Sequence, residues 1–415
     1  MSRELRHLKT LEEARTILWE ALPERVREGR FGGQLVEIGG AVGLLLDEDV
    51  ASRTDLPPFD RSTMDGYAVR AEDTFGASEG LPAYLKVVGD VQMGEGPAFA
   101  IADNEVARIP TGGMLPEGAD AVVMVEHTQG WGADSVEVLR PVAPGDNIVR
   151  RGDDVRVGDT ILPAGHRLRP QDISALAGLG LVEVRVRRPA VAVLSTGGEL
   201  VPHSQSPAPG QIRDMNGPAL FAAVRAVGGE PIDLGLVRDE ADSLRAALRG
   251  GVETADLVLV SGGTSVGTED LTPEVIDSLG SPGVLVHGLA LKPGKPVVVG
   301  LVGEVPVFGL PGHPTSCLVI FRELVAPIIC AAAGLPRPRG PALRARLSRN
   351  FASQAGREEF FPVRLEERDG EWHAMPLIGP SAFISTLVSA DGLVRVPAAA
   401  EGLYAGDLVE VEPFE

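Results

Sequence analysis

Residues 190–263 contain, in order, AVAVLST (190–196), GPALFAAVRAVGG (217–229), PIDLGLV (231–237), EADSLRAALRG (240–250) and DLVLVSGG (256–263). Apolar runs that end in Gly, Ser or Thr alternate with stretches of helical spacing, which is βαβαβ punctuation. Continuous apolar runs are what parallel strands buried on both faces require, and such a sheet collects its ligands at the strands' C-terminal ends. A doubly wound parallel-sheet domain is therefore expected over 189–335.

Upstream, LKTLEEARTILWEALPE opens with Thr10 and Glu13 in capping-box spacing, and Leu11, Ala14, Leu18 and Leu22 keep helical period. From 55 to 146 short apolar runs such as AYLKVVGDV and AVVMVEHT, broken by PEGAD and APGD, predict a small β-rich inserted domain. It would interrupt a discontinuous N-terminal domain of 1–54 and 147–188, in which RPQDISALAGLG reads as a helix with Pro170 in its first turn. Beyond the linker-like PRPRGP, residues 336–415 alternate as strands, with a turn at Asp369-Gly370, and predict a C-terminal all-β domain resembling a barrel. The fold class is α/β plus all-β, multidomain, as the length of 415 residues also suggests.

The formal charge of −20 argues against nucleic acid or an anionic membrane as partner, while leaving room for a small anion held by local groups. MSRELRHLKT has no apolar run of signal-peptide length, and nowhere do eighteen apolar residues follow one another, so a cytoplasmic location is expected. Cys317 and Cys330 fall in one predicted helix, 13 positions and therefore about 20 Å apart, beyond disulfide reach. The seven histidines lack zinc-site spacing.

The polar turns of the α/β segment are the candidates for chemistry. SGGTSVGTED (261–270) could cradle an oxyanion on its backbone, or be an ordinary strand-to-helix turn. Glu199, Asp239 and Asp270 each follow a predicted strand and could converge on Mg²⁺. Each taken alone could be a helix cap or first-turn carboxylate, Asp239 most of all, but three such positions beside two lysines and a Gly-Gly-Thr-Ser turn favour the site. Of 38 basic residues only Lys9, Lys86, Lys292 and Lys295 are lysine, and two of these share the turn LKPGKP. In the insertion, PPFDRSTMDGYAVR carries Asp60 and Asp65, RIPTGGMLPEGAD carries Thr111, and NIVRRGDDV carries Asp153 and Asp154. Charged residues in such loops are often no more than solvated.

PFDRSTMDGYAV, IPTGG, GADAVV, NIVRRGDDV, LSTGGEL, SGGTSVGTED, LKPGKP, LPGHPTS and ISTLVSADGLVRVP together resemble, in this order across nearly the whole chain, the molybdopterin molybdenumtransferases. These are molybdenum insertases that include the E domain of gephyrin. The resemblance implies an elongated homodimer of four-domain subunits, with a third domain related to molybdopterin adenylyltransferases and an active cleft completed by the partner's small β domain. It implies conversion of adenylylated molybdopterin and molybdate (or tungstate) to molybdenum cofactor and AMP with Mg²⁺. The adenylyltransferase and recipient molybdoenzymes are then expected partners. Carried over by position, the catalytic set is Asp60, Asp154, Glu199, Asp239, Asp270, Lys292 and Lys295, with Glu199, Asp239 and Asp270 toward the metal. Thr111, Gly262, Gly263, Thr264, Ser265, Pro311, Gly312, His313, Ser316, Arg357 and Ser381 are the implied substrate contacts. Relatives often carry TGDEL where this chain has Thr196-Gly197-Gly198-Glu199, asparagine where His313 stands, and a basic residue where His287-Gly288 precedes KPGKP. An adenylyltransferase, which would consume ATP, a gephyrin-like scaffold and a tungsten-specific insertase are the rival readings.

Overall fold

The structure is a computed structural model that describes residues 8–29, 31, 33–130, 134–263, 271–337 and 342–414. The chain forms two compact units, one of residues 1–36, 43–47 and 185–415, the other of 37–42 and 48–184.

The first unit is built on a six-stranded sheet ordered Glu230–Val237, Ala190–Thr196, Leu257–Ser261, Val305–Leu310, Val298–Val302 and Pro282–His287. The first four strands are parallel, in register Ala192↔Val258 and Val258↔Val307. Where the sequence predicts a parallel sheet throughout, Val298–Val302 runs antiparallel to both neighbours. Only Gly303 and Glu304 separate it from the strand Val305–Leu310, room for a hairpin but not for a crossover helix.

Neighbouring strand residues feed opposite cores. Val191, Val193, Leu257, Leu259 and Phe308 pack with the helices Leu11–Ala21, Asn216–Ala226 and Pro314–Ala333, whereas Ala192, Leu194, Val258, Val260 and Val307 pack with Ala241–Thr254 and Leu271–Leu279. This double burial is why the strands read as unbroken apolar runs. Pro314–Ala333 is the one helix among the described residues long and apolar enough to cross a membrane, but 78% of an 18-residue apolar stretch of it is buried, as in a core helix. Both cysteines lie on it, buried and not joined in a disulfide.

A closed barrel of five strands completes the unit: Glu358–Arg368, Glu371–Pro376, Leu343–Leu347, Leu408–Pro413 and Gly392–Val396, which pairs back to the first. Closure leaves these five strands without a free edge. Leu347, Phe361, Val363 and Val411 fill the barrel, while Phe360 and Leu393 enter the core of the α/β sheet. A two-residue strand, Leu291–Lys292, adds to the barrel in parallel with Glu358 and Glu359.

The second unit holds a six-stranded sheet ordered Ala121–Met124, Gly66–Val69, Glu105–Ile109, Ala83–Asp90, Ser135–Val138 and Thr128–Gly130, with an apolar core on each face. Its helix Pro170–Gly178 begins at Pro170, as the sequence predicts.

Candidate active site

At the C-terminal ends of the parallel strands, a cleft of about 1450 Å³ opens between the α/β sheet and the barrel within the first unit. Glu199, Asp239, Gly262, Gly263, Lys292, Lys295, Pro311, Gly312, His313, Ser316, Arg357 and Ser381 all line it. Twelve of the positions singled out in the sequence thus converge. Thr264, Ser265 and Asp270 lie outside the described residues.

Each loop is shaped by its backbone. Gly262 has φ +93°, and a Cβ there would come within 2.1 Å of the Thr196 carbonyl, so only glycine lets the SGG turn close over the neighbouring strand end. Gly294, at φ +117° in the KPGKP turn, rests against Ile320, whose Cδ1 lies 2.6 Å from where a Cβ would be. Asn216 joins two strand ends, donating through Nδ2 to Ser261 Oγ at 2.7 Å and to the Gly312 carbonyl at 2.9 Å. Asp214 accepts from the Asn216 and Gly217 amides at the start of the helix. On the barrel side, the Ser381 carbonyl accepts from the Thr315 amide at 3.3 Å, and Ser381 Oγ lies 3.0 Å from His313 Nδ1.

The charged groups divide sharply by partner. Lys292 Nζ lies 2.6 Å from Glu359 Oε1. Among the described residues Lys295, Glu199 and Asp239 make no side-chain hydrogen bond or ion pair. Asp239 does not cap the helix Ala241–Thr254, whose N-cap position is Glu240. Among the described residues, Thr196 Oγ1, Thr315 Oγ1 and Arg357 Nε of the cleft are buried without a hydrogen-bond partner, as are atoms outside it such as Ser195 Oγ and Ser348 Oγ. Cys317, beneath the Ser261 turn, is fully buried, and burial pushes its thiol up to about 12, which removes it as a thiolate nucleophile.

Among the described residues no three His, Cys, Asp or Glu side chains gather as a metal cluster. Among the described residues lining the cleft, Glu199 and Asp239 are the two carboxylates without a side-chain partner, and an oxygen-only pair is the protein share that Mg²⁺ commonly takes, with phosphate and water completing its shell. The residues present therefore fit that ion.

Asp60, Thr111 and Asp154 belong to the second unit. Asp60 Oδ1 accepts from the Arg151 amide at 2.7 Å, and the pairing of Arg61–Ser62 with Ile148–Val149 sets the two loops side by side. Thr111 gives its amide (2.7 Å) and its hydroxyl (2.9 Å) to Asp65. Those bonds, the amide's first, hold the Asp65 carboxyl below its usual range. Glu359, Asn216, Asp214 and Arg213 also line the cleft and were not singled out in the sequence. Three of them fall in RDMN (213–216), a polar stretch just before a helix-like run, which is the one local signal that could have found them.

Comparison with known proteins agrees along the chain. Residues 9–180 match the MoeA N-terminal region (domain I and II), 192–331 a probable molybdopterin binding domain, and 344–414 the MoeA C-terminal region (domain IV). Molybdopterin molybdenumtransferase 2 of Mycobacterium tuberculosis is 37% identical over 91% of this chain and 94% of its own. The molybdopterin molybdenumtransferase of Bacillus subtilis is 33% identical over 88% and 86%. A crystal structure of a molybdopterin biosynthesis MoeA protein from Pyrococcus horikoshii superposes with a TM-score of 0.75 at 40% identity, covering 99% of this chain and 100% of that one. The chain belongs to the MoeA family, the molybdopterin molybdenumtransferases of molybdenum cofactor biosynthesis.

Proposed function

We propose that the cleft binds molybdopterin whose phosphate has been adenylylated, together with molybdate, and releases molybdenum cofactor and AMP. The observation that carries this reading is the presence, in one cleft, of groups of both signs that have no side-chain partner among the described residues: Glu199 and Asp239 as carboxylates, Lys295 as ammonium and the Arg357 Nε–H. Structural ion pairs consume such groups, whereas a site for anions that arrive with a divalent cation leaves them open. Glu199 and Asp239 would hold Mg²⁺, which when bound neutralises phosphate charge and polarises the phosphorus. Lys295 and Arg357 orient the oxyanions, and Thr315 supplies a further hydroxyl donor. No protein nucleophile is called for, in keeping with the buried, protonated Cys317. Tungstate, a tetrahedral dianion like molybdate, is expected to compete for the same contacts. The working form is proposed to be a cytoplasmic homodimer, to be checked by analytical ultracentrifugation and cell fractionation.

The test is incubation of the purified protein with adenylylated molybdopterin, molybdate and Mg²⁺, following AMP release and activation of an apo-molybdoenzyme. AMP release should vanish with EDTA and return with Mg²⁺. No AMP from folded protein with either oxyanion would overturn the reading, and consumption of ATP with free molybdopterin would replace it by an adenylyltransferase.

A further inference from the structure

The two lysines of the KPGKP turn hold different positions. Lys295 has no partner among the described residues, whereas Lys292 is anchored. Its anchor is made twice, first by backbone and then by side chain. Leu291–Lys292 pairs in parallel with the first barrel strand in register Lys292↔Glu359, and the Glu358 amide donates to the Ala290 carbonyl at 3.0 Å. On that register Lys292 Nζ meets Glu359 Oε1 at 2.6 Å. The Glu359 side chain is only 4% exposed against 50% for Lys292, so the carboxylate is a fixed, desolvated post and the ammonium reaches from it into the cleft. The other carboxylate oxygen accepts from Ser353 Oγ at 2.7 Å, which leaves Glu359 little freedom to turn. An ammonium has three protons. One goes to Glu359 and two remain for a ligand.

We infer that Glu359 is a positioning residue for the oxyanion end of the cleft: it holds the Lys292 ammonium, otherwise on a four-carbon flexible stem, where its free protons meet the substrate anion. This rests on the oxyanion reading above and adds a residue to it. The inference has a sign that simple electrostatics does not share. Removing the Glu359 charge makes the cleft more positive by one unit, which by Coulomb attraction alone would tighten anion binding. Loss of positioning weakens it, because Lys292 must then pay the cost of ordering its own side chain.

The experiment measures molybdate binding directly, by equilibrium dialysis, and the KM for molybdate with kcat, in the full-length protein and in Glu359→Gln, Ser353→Ala, Lys292→Met and the Glu359→Gln/Lys292→Met double variant. Glu359→Gln should raise Kd and KM for molybdate about tenfold with kcat changed by less than about threefold. Ser353→Ala, which leaves the ion pair in place, should move both constants the same way by a smaller factor. The double variant should bind no worse than Lys292→Met alone, since both changes remove one device. Unchanged or tighter molybdate binding in Glu359→Gln and Ser353→Ala, or additive effects in the double variant, would overturn the inference while leaving the proposed reaction standing. Failure of the parent protein to bind molybdate would remove the reading on which it rests and the inference with it.

Discussion

Lys292 and Lys295 carry one charge each, three positions apart in the same turn, yet the fold gives one a buried carboxylate and the other no partner among the described residues. The sequence singles out the pair, because a chain with so few lysines keeps two of them here, but it cannot rank them: Glu359, which separates their roles, is 67 positions from Lys292. Guanidinium is a broad planar fork and ammonium a compact donor, so a site built for ammonium beside a small tetrahedral oxyanion should not accept arginine. Lys295→Met is expected to lower kcat/KM by about a hundredfold, and Lys295→Arg should lose most turnover at unchanged net charge and melting temperature. Parent-like activity of Lys295→Arg at low molybdate would show that only charge matters. Gly294→Ala tests the turn itself. Its φ of +117° and its contact with Ile320 leave no room for a methyl group, so the variant should lose about 1–3 kcal/mol of stability in denaturant titration.

Among the elements, those whose signals are local were legible. Thr10 and Glu13 form the capping box that their spacing announces, and Asp369-Gly370, both at positive φ, close the hairpin between Glu358–Arg368 and Glu371–Pro376. The reversal of Val298–Val302 was not, because an apolar run buried on both faces looks alike whichever way it points. Asp172, at the start of Pro170–Gly178, shows how a local cap acquires further partners. Its carboxylate accepts from the Arg169 amide at 2.8 Å and from the guanidinium at 3.0 and 3.1 Å, and His166 Nε2 lies 2.8 Å away. An ionised carboxylate only accepts, so that nitrogen carries the proton. The Arg169 guanidinium first, and His166 with the Arg169 amide after it, hold the Asp172 carboxyl well below the usual range although burial opposes them. A depressed folded-state pKa gives stability that is complete above the unfolded value of about 4 and is lost as pH falls through the folded one. Asp172→Ala should therefore cost about 1.5–3 kcal/mol at pH 7. The gap between variant and parent in chemical denaturation should narrow steadily below about pH 4. A gap that stays constant down to pH 2 would assign the effect to packing instead.

At the scale of the whole molecule, the first unit has to bind its N-terminal helix to elements some three hundred residues away. Glu323, whose side chain is 1% exposed, sits in the π-helical turn Phe321–Val325 of the long core helix and meets the guanidinium groups of both Arg15, from the N-terminal helix, and Arg337. Pro327 has no N–H to give the Glu323 carbonyl four positions back, and Arg15 donates there instead, at 3.1 and 3.0 Å. The tertiary clamp thus answers the missing bond, and it could not be read from the sequence: the proline is visible, but an arginine 308 positions away is not. Arg15→Ala leaves Arg337 on the Glu323 carboxylate, so it should cost about 1–3 kcal/mol, and Glu323→Ala, which removes the partner both arginines share, at least as much. Because both act on one network, the double variant should lose clearly less than the sum of the two. None of these residues lines the cleft, so molybdate binding measured well below the melting transition should stay at the parent value in every variant. Full additivity would show that Arg15 and Glu323 stabilise the unit independently, and weakened molybdate binding would mean that the clamp also sets the geometry of the strand-end loops.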